Sequence, residues 1–138
     1  MKILVINGPN LNMLGKRNPD EYGNITLDDI EKKILKEFPN HEFEFFQSNI
    51  EGEIVSKIQT TQNNFDALVI NSGGYTHTSV AIKDALEILT IPKIEVHLSK
   101  LASREDFRQK MITTTSVDGY ISGFKEKSYL AAIYLLVH

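Results

Sequence analysis

Residues 67–74 read Ala67-Leu68-Val69-Ile70-Asn71-Ser72-Gly73-Gly74. Four apolar residues in a row, halted by Asn, Ser and two glycines, form the pattern of a strand buried on both faces, as in a parallel sheet. The chain opens in the same way: Ile3-Leu4-Val5-Ile6 runs into Asn7-Gly8-Pro9. Ile94 to Leu98 and Val117 to Ile121 read as two further strands. Phe43 and Phe45 alternate with Glu42 and Glu44 before Phe46 breaks the rhythm, which adds a strand early in the chain.

Between these runs the apolar spacing becomes helical. Thr26 opens a helix carrying Leu27, Ile30, Ile34, Leu35 and Phe38, and Pro39 ends it. Asp29 stands three residues after Thr26, a relative of the capping box, with Ile25 and Ile30 able to form a hydrophobic staple. Ile54, Val55 and Ile58 mark a helix over 51–63. Ala81, Ala85, Leu86 and Leu89 mark another that ends before Pro92. Leu130, Ile133, Tyr134 and Val137 mark the last, and Ser103 to Phe107 reads as a capped helical turn. Strand and helix thus alternate five times, which predicts an α/β sandwich of three layers with a parallel sheet and right-handed crossovers. With five strands the expected order is 2-1-3-4-5, the flavodoxin-like arrangement. There is no internal repeat or linker, so residues 1–138 are expected to form a single domain.

Composition fits this picture. The chain has 138 residues, of which 41% are hydrophobic, 24% charged and 9% aromatic, an ordinary globular balance. A chain of this length buries roughly two-thirds of its unfolded surface. Cysteine is absent, which removes disulfides, thiolate metal sites and a thiol nucleophile, and fits a reducing compartment. A net charge of −3 offers no field for a nucleic-acid backbone. The apolar run after Met1-Lys2 is too short for a secretory core or a membrane span, so a cytoplasmic protein is expected.

In open α/β sheets ligands sit beyond the carboxyl ends of the strands. The segments to inspect are therefore Asn7 to Asn12, Asn71 to Ser79 and Glu95 to Ser99. The fourth strand is the most informative. Ile94, Val96 and Leu98 share one face, while Glu95 and His97 share the other. A carboxylate two residues from an imidazole can orient it and hold it protonated, which suits a general acid. The alternative is an edge strand whose second face is wet. The long loop Gly8–Asn24 carries Arg17 and Tyr22 between Gly15 and Gly23, the pattern of a hinged lid in which a cation can stabilise a tyrosinate. A surface arginine beside a packing tyrosine is the plainer reading. His77 lies at a helix entry with Asp84 further along that helix. Arg104 and Arg108, four apart, share a face if their segment is helical, and such a face either binds a carboxylate or is simply solvated. Phosphate-binding glycine loops, a hydrolase elbow and a dense metal-ligand cluster are all missing. That weakens the rival expectation of a flavin or nucleotide carrier on the same fold.

Taken together, these blocks resemble the type II 3-dehydroquinate dehydratases. Asn7-Gly8-Pro9-Asn10-Leu11-Asn12-Met13-Leu14-Gly15 with Arg17, Pro19 and Tyr22-Gly23 is similar to that family's opening signature. Gln47-Ser48-Asn49 with Glu51-Gly52-Glu53, Asn71 with Gly73 and Tyr75 to Ala81, Glu95 to Ser99, and Arg104-Glu105 with Phe107-Arg108 follow in the family's order. The resemblance implies a lyase (a hydro-lyase) that eliminates water in the anti sense from 3-dehydroquinate, through an enolate, to give 3-dehydroshikimate. It also implies the shikimate pathway of aromatic amino-acid biosynthesis and no cofactor or metal. By position, Tyr22 would be the base, Arg17 the transition-state stabiliser, and Asn10 the holder of a water on the enolate oxygen. His97 would be the acid, oriented by Glu95. Asn71, His77, Asp84 and Arg108 would bind substrate hydroxyls, and the backbone N–H groups of Leu98 and Ser99 the carboxylate. Arg104 maps to a neighbouring arginine without a fixed role. The family assembles as a dodecamer built from trimers, with neighbouring subunits reaching the sites. The chain departs from the family's usual residues at Asn18, Ser72-Gly73-Gly74, Lys100, Lys125 and Ser128, none of which is a proposed catalytic group.

Overall fold

The computed structural model describes residues 1–138. Its elements run β1 (Lys2–Asn7), α1 (Pro19–Tyr22), α2 (Leu27–Glu37), β2 (Glu42–Gln47), α3 (Glu51–Gln59), β3 (Ala67–Asn71), α4 (Val80–Ile88), β4 (Lys93–His97), β5 (Gly119–Ser122) and α5 (Lys127–Val137), with short 3-10 turns between them. The five strands form one parallel sheet in the order β2-β1-β3-β4-β5. The flavodoxin-like order read from the alternation is the observed one.

Strand periodicity divides the core in two. Ile3, Val5, Val69, Val96 and Leu98 face α2 and α5, where they meet Ile30, Ile34, Ala132 and Ile133. Leu4, Ile6, Leu68 and Ile70 face α3 and α4, where they meet Ile54, Ile58, Ile82 and Leu86. Each face buries complete Ile and Leu side chains, roughly 1.5–3 kcal/mol apiece relative to exposure. The register sets Ile70 beside Glu95, so Glu95 and His97 lie on the α3–α4 side of the sheet. β4 is flanked by β3 and β5 and is not an edge, which removes the wet-strand alternative for that pair.

Helix starts follow local chemistry. Thr26 accepts from the Asp29 N–H at 3.2 Å while the Asp29 carboxylate accepts from the Thr26 N–H at 3.1 Å, a complete capping box. Three expectations shift. α3 stops at Gln59 instead of Asn63, because the Thr60 and Thr61 hydroxyls both donate to the Lys57 carbonyl, which competes with helix continuation. The fifth strand starts at Gly119, since Asp118 instead clasps the Lys93 N–H with its carboxylate at 2.9 Å. The segment 103–107 is two 3-10 turns, Leu101–Ser103 and Asp106–Arg108, separated by extended backbone at Arg104 and Glu105. Arg104 and Arg108 therefore do not share a helix face.

Candidate active site

The carboxyl ends of β1, β3 and β4 surround a cavity of about 90 Å³. The β1 and β3 ends are held unusually close. A Cβ on Gly8 would stand 2.6 Å from the Ser72 carbonyl oxygen, so only glycine fits there. The loop that follows is pinned from a third side. The Gln47 amide donates to the Gly8 carbonyl at 3.1 Å, and the Asn10 N–H, on a left-handed residue with φ 70°, donates to Asn49 Oδ1 at 3.0 Å. Leu11 and Leu14 sink into the core. Beneath them a buried relay joins the two asparagines: the Tyr129 hydroxyl donates to Asn7 Oδ1 at 2.5 Å and accepts from Asn71 Nδ2 at 3.0 Å. Burial pushes the Tyr129 phenol well above its ordinary range, so it stays a neutral donor.

The front wall comes from the expected loop. Gly15 and Gly23 both have positive φ, 95° and 81°, and α1 between them starts at Pro19 with Asn18 as its cap, accepting from the Asp20 N–H at 3.0 Å. The Asn18 departure thus has a structural use. The Arg17 guanidinium carbon lies 3.7 Å from the centre of the Tyr22 ring. Arg104 approaches the same ring at 5.3 Å, ion-pairs with Glu21 at 3.3 Å and donates to the Ser99 hydroxyl at 2.9 Å. Arg108 and Arg104 both donate to Glu105, at 3.2 and 3.1 Å. Burial lowers the Arg17 guanidinium from its usual range; Tyr22 offsets part of this, and Arg104 and Arg108 add to it. Burial also pulls on Arg104, but Tyr22 and Glu21 beside it leave it raised. Guanidinium groups stay charged in proteins, so Arg17 and Arg104 set two cations on one phenol.

The back wall holds two histidines. His97 is buried, and its Nε2 donates to Glu95 Oε2 at 2.8 Å. His77 is buried too, with Nδ1 donating to the Lys110 carbonyl at 2.8 Å. The rings stack with centres 6.5 Å apart. Burial lowers the His77 pKa below its ordinary value, and the nearby His97 and Arg108 push the same way. His77 is thus neutral at pH 7, with a bare Nε2 able to accept a hydrogen bond.

Asn10, Arg17, Tyr22, Asn71, His77, His97, Leu98, Ser99, Arg104 and Arg108 all line this cavity. Glu95 lies behind His97, fully buried. Asp84 does not line it. Asp84 sits on α4 with Val80 and Ile88 four residues to either side, on a face where those two are 57% and 66% exposed. No three His, Asp or Glu side chains converge as a metal site, and no helix is long and apolar enough to cross a membrane. Sequence reasoning passed over the Thr113 and Thr114 hydroxyls, both donated to Glu95, and the Lys110 carbonyl on His77. A buried carboxylate needs more donors than one imidazole, and that requirement is the signal that could have prompted a search for them.

A phenol among cations, in one cavity with an imidazole backed by a carboxylate, is a constellation suited to proton transfer to and from one small hydroxylated ligand. The comparisons agree. A sequence model described as dehydroquinase class II matches residues 1–137. A 3-dehydroquinate dehydratase of Clostridium botulinum (strain 657 / Type Ba4) is 50% identical over 99% of this chain and 94% of its own length. One from Fusobacterium nucleatum subsp. nucleatum is 49% identical over 99% and 97%. The crystal structure of a type II dehydroquinase from Butyrivibrio crossotus superposes with a TM-score of 0.97 at 46% identity, covering 100% of this chain and 98% of that one. Fold, cavity and similarity over the full length lead to one conclusion: the chain belongs to the class II dehydroquinase family.

Proposed function

We propose that this chain dehydrates 3-dehydroquinate to 3-dehydroshikimate by anti elimination, within aromatic amino-acid biosynthesis in the cytoplasm. Tyr22, as phenolate, removes the proton beside the ketone. The electron pair moves to the carbonyl oxygen, giving an enolate that a water held by Asn10 stabilises. The enolate then collapses, the carbon–oxygen bond breaks, and His97 protonates the departing hydroxyl as water. Arg17 and Arg104 supply positive charge where the phenolate and enolate carry negative charge, the largest kind of contribution a site can make. Asn71, His77 and Arg108 hold substrate hydroxyls, and the N–H groups of Leu98 and Ser99 take its carboxylate.

The observation that carries this reading is that Tyr22 under Arg17 and His97 on Glu95 line one cavity. Anti elimination needs a base and an acid on opposite sides of the reacting bond, and a phenol and an imidazole in one cavity supply a group for each task. Mixing the purified protein with 3-dehydroquinate should produce the ultraviolet enone absorbance of the product. Absence of that signal from folded wild-type protein would refute the reading.

The reading extends to assembly as a dodecamer of four trimers. Asp84 does not line its own chain's cavity and is exposed, one turn from exposed Val80 and one from exposed Ile88. That placement suits a residue delivered to a neighbouring subunit's substrate.

A further inference from the structure

One buried cluster lies outside the groups that face the cavity. Glu95 is fully buried. Its Oε1 accepts from the Thr113 hydroxyl at 2.5 Å, and its Oε2 accepts from His97 Nε2 at 2.8 Å and from the Thr114 hydroxyl. Neither threonine hydroxyl has a second partner within the protein, and Thr113 is fully buried. A hydrogen on Oε1 would strand that of the buried Thr113 hydroxyl, and a hydrogen on Oε2 would pass to His97 Nε2, because an imidazole is a stronger base than a carboxylate. Three donors around one carboxyl are satisfied together only by the ionised, acceptor-only form. An unpaired charge there would be costly, and the bonds offset that cost.

The threonines reach Glu95 because their segment is strapped across the α3–α4 side of β4. The 3-10 turn Thr113–Ser116 precedes β5. The Ile112 N–H donates to the Thr76 carbonyl at 2.8 Å, and the Ser116 hydroxyl to Glu87 at 3.2 Å. The same strap carries the Lys110 carbonyl that accepts from His77 Nδ1. One stretch of chain therefore sets both rings, in opposite senses.

We propose that Thr113 and Thr114 are positioning residues that hold Glu95 as a fixed carboxylate. This commits His97 Nε2 to donation and leaves Nδ1 as the nitrogen that serves the substrate. The part played by Nδ1 rests on the acid role proposed above for His97; the tautomer does not. The charged and titratable groups around His97 are Glu95 on its own strand, His77 after β3, Arg104 and Arg108 after β4, and Arg17 and Tyr22 across the cavity. Of these, only Glu95 touches the ring nitrogen.

The test is solid-state NMR of protein labelled with 15N-histidine, which tolerates any assembly size. The chain has four histidines, and His97 is identified by its loss in H97N. Above neutral pH the wild type should show His97 with Nε2 protonated and Nδ1 bare. T113V/T114V should show a mixture of tautomers, and its kcat should fall about 10–100-fold, within the contribution of a positioned acid, with KM little changed. T113S/T114S should restore both. If the double variant does not fold, T114V, at the less buried of the two, carries the test. A folded valine variant with the wild-type tautomer and kcat overturns the proposal. Wild-type protein inactive on 3-dehydroquinate would count against the proposed activity alone, since the tautomer measurement needs no substrate.

Discussion

The guanidinium of Arg17 stands 3.7 Å from the centre of the Tyr22 ring, in the cavity that His97 also lines. It covers the ring's π face, where a cation is attracted before any proton moves, and it gains further when the phenol becomes an anion. Arg17→Ala should therefore lower kcat on the order of 10²–10³-fold while leaving the fold intact. Steady-state kinetics with circular dichroism would check this. Arg17→Lys should restore little, because a compact ammonium does not stack as a planar guanidinium does.

Tyr22→Phe keeps the ring under Arg17 and deletes only the hydroxyl. The side chain is half-buried, and its hydroxyl is within hydrogen-bonding reach of the cations Arg17 and Arg104 alone. Its melting temperature should match the wild type while kcat falls on the order of 10³-fold. A comparable loss of stability would show that the tyrosine is there to pack.

His77 makes stability depend on pH. Its folded pKa lies below the ordinary 6.5, chiefly through burial. Between the folded value and 6.5 the unfolded chain binds more protons, so stability rises with pH there and is lost as pH falls below about 6.5. Urea unfolding from pH 5 to 7.5 should show this slope, and His77→Gln should flatten it. An identical slope in the variant would transfer the effect to other groups.

Tyr129→Phe tests the relay under the cavity floor. It removes the donor to Asn7 and the acceptor for Asn71, both in a buried setting. A stability loss of about 1–3 kcal/mol is expected from the stranded amides, read by thermal or denaturant unfolding.

On the proposed assembly, Asp84→Asn should weaken turnover, although the residue lies outside its own cavity. Val80→Glu with Ile88→Glu should then give a smaller species, since both side chains stand exposed on the same face. Sedimentation velocity and kcat/KM, measured together, would report both. An unchanged oligomer would remove α4 from the interface.

Much of the fold was legible because its strands are continuous apolar runs and its helices keep a helical spacing, as in Ile3–Ile6 and Ile30–Ile34. The contact between Glu95 and His97 was legible for the same reason: period two puts both on one face. What local pattern hides is side-chain competition and distance in the chain. The early end of α3 depends on two threonine hydroxyls bonding back to Lys57. Arg104 joins Tyr22 across the cavity through extended backbone that no helical spacing describes. Thr113 and Thr114 meet Glu95 only after the chain has left β4 and returned toward β5, and no periodicity links such positions. Asp84 shows the converse: a residue placed at the site by resemblance stays apart from it within one chain.

The contact between Gly8 and Ser72 also decides how the enzyme breathes. Two strand ends locked backbone to backbone, with Leu11 and Leu14 rooted in the core, make a stationary anvil. Helix α1 fully buries none of its residues, so the stretch from Gly15 to Gly23 is held by the half-buried Tyr22 against the core and by Arg17, Arg104 and Glu21. Opening and product escape then need only that stretch to swing, and its amide hydrogens should exchange with solvent far sooner than those of Asn7 or Asn71.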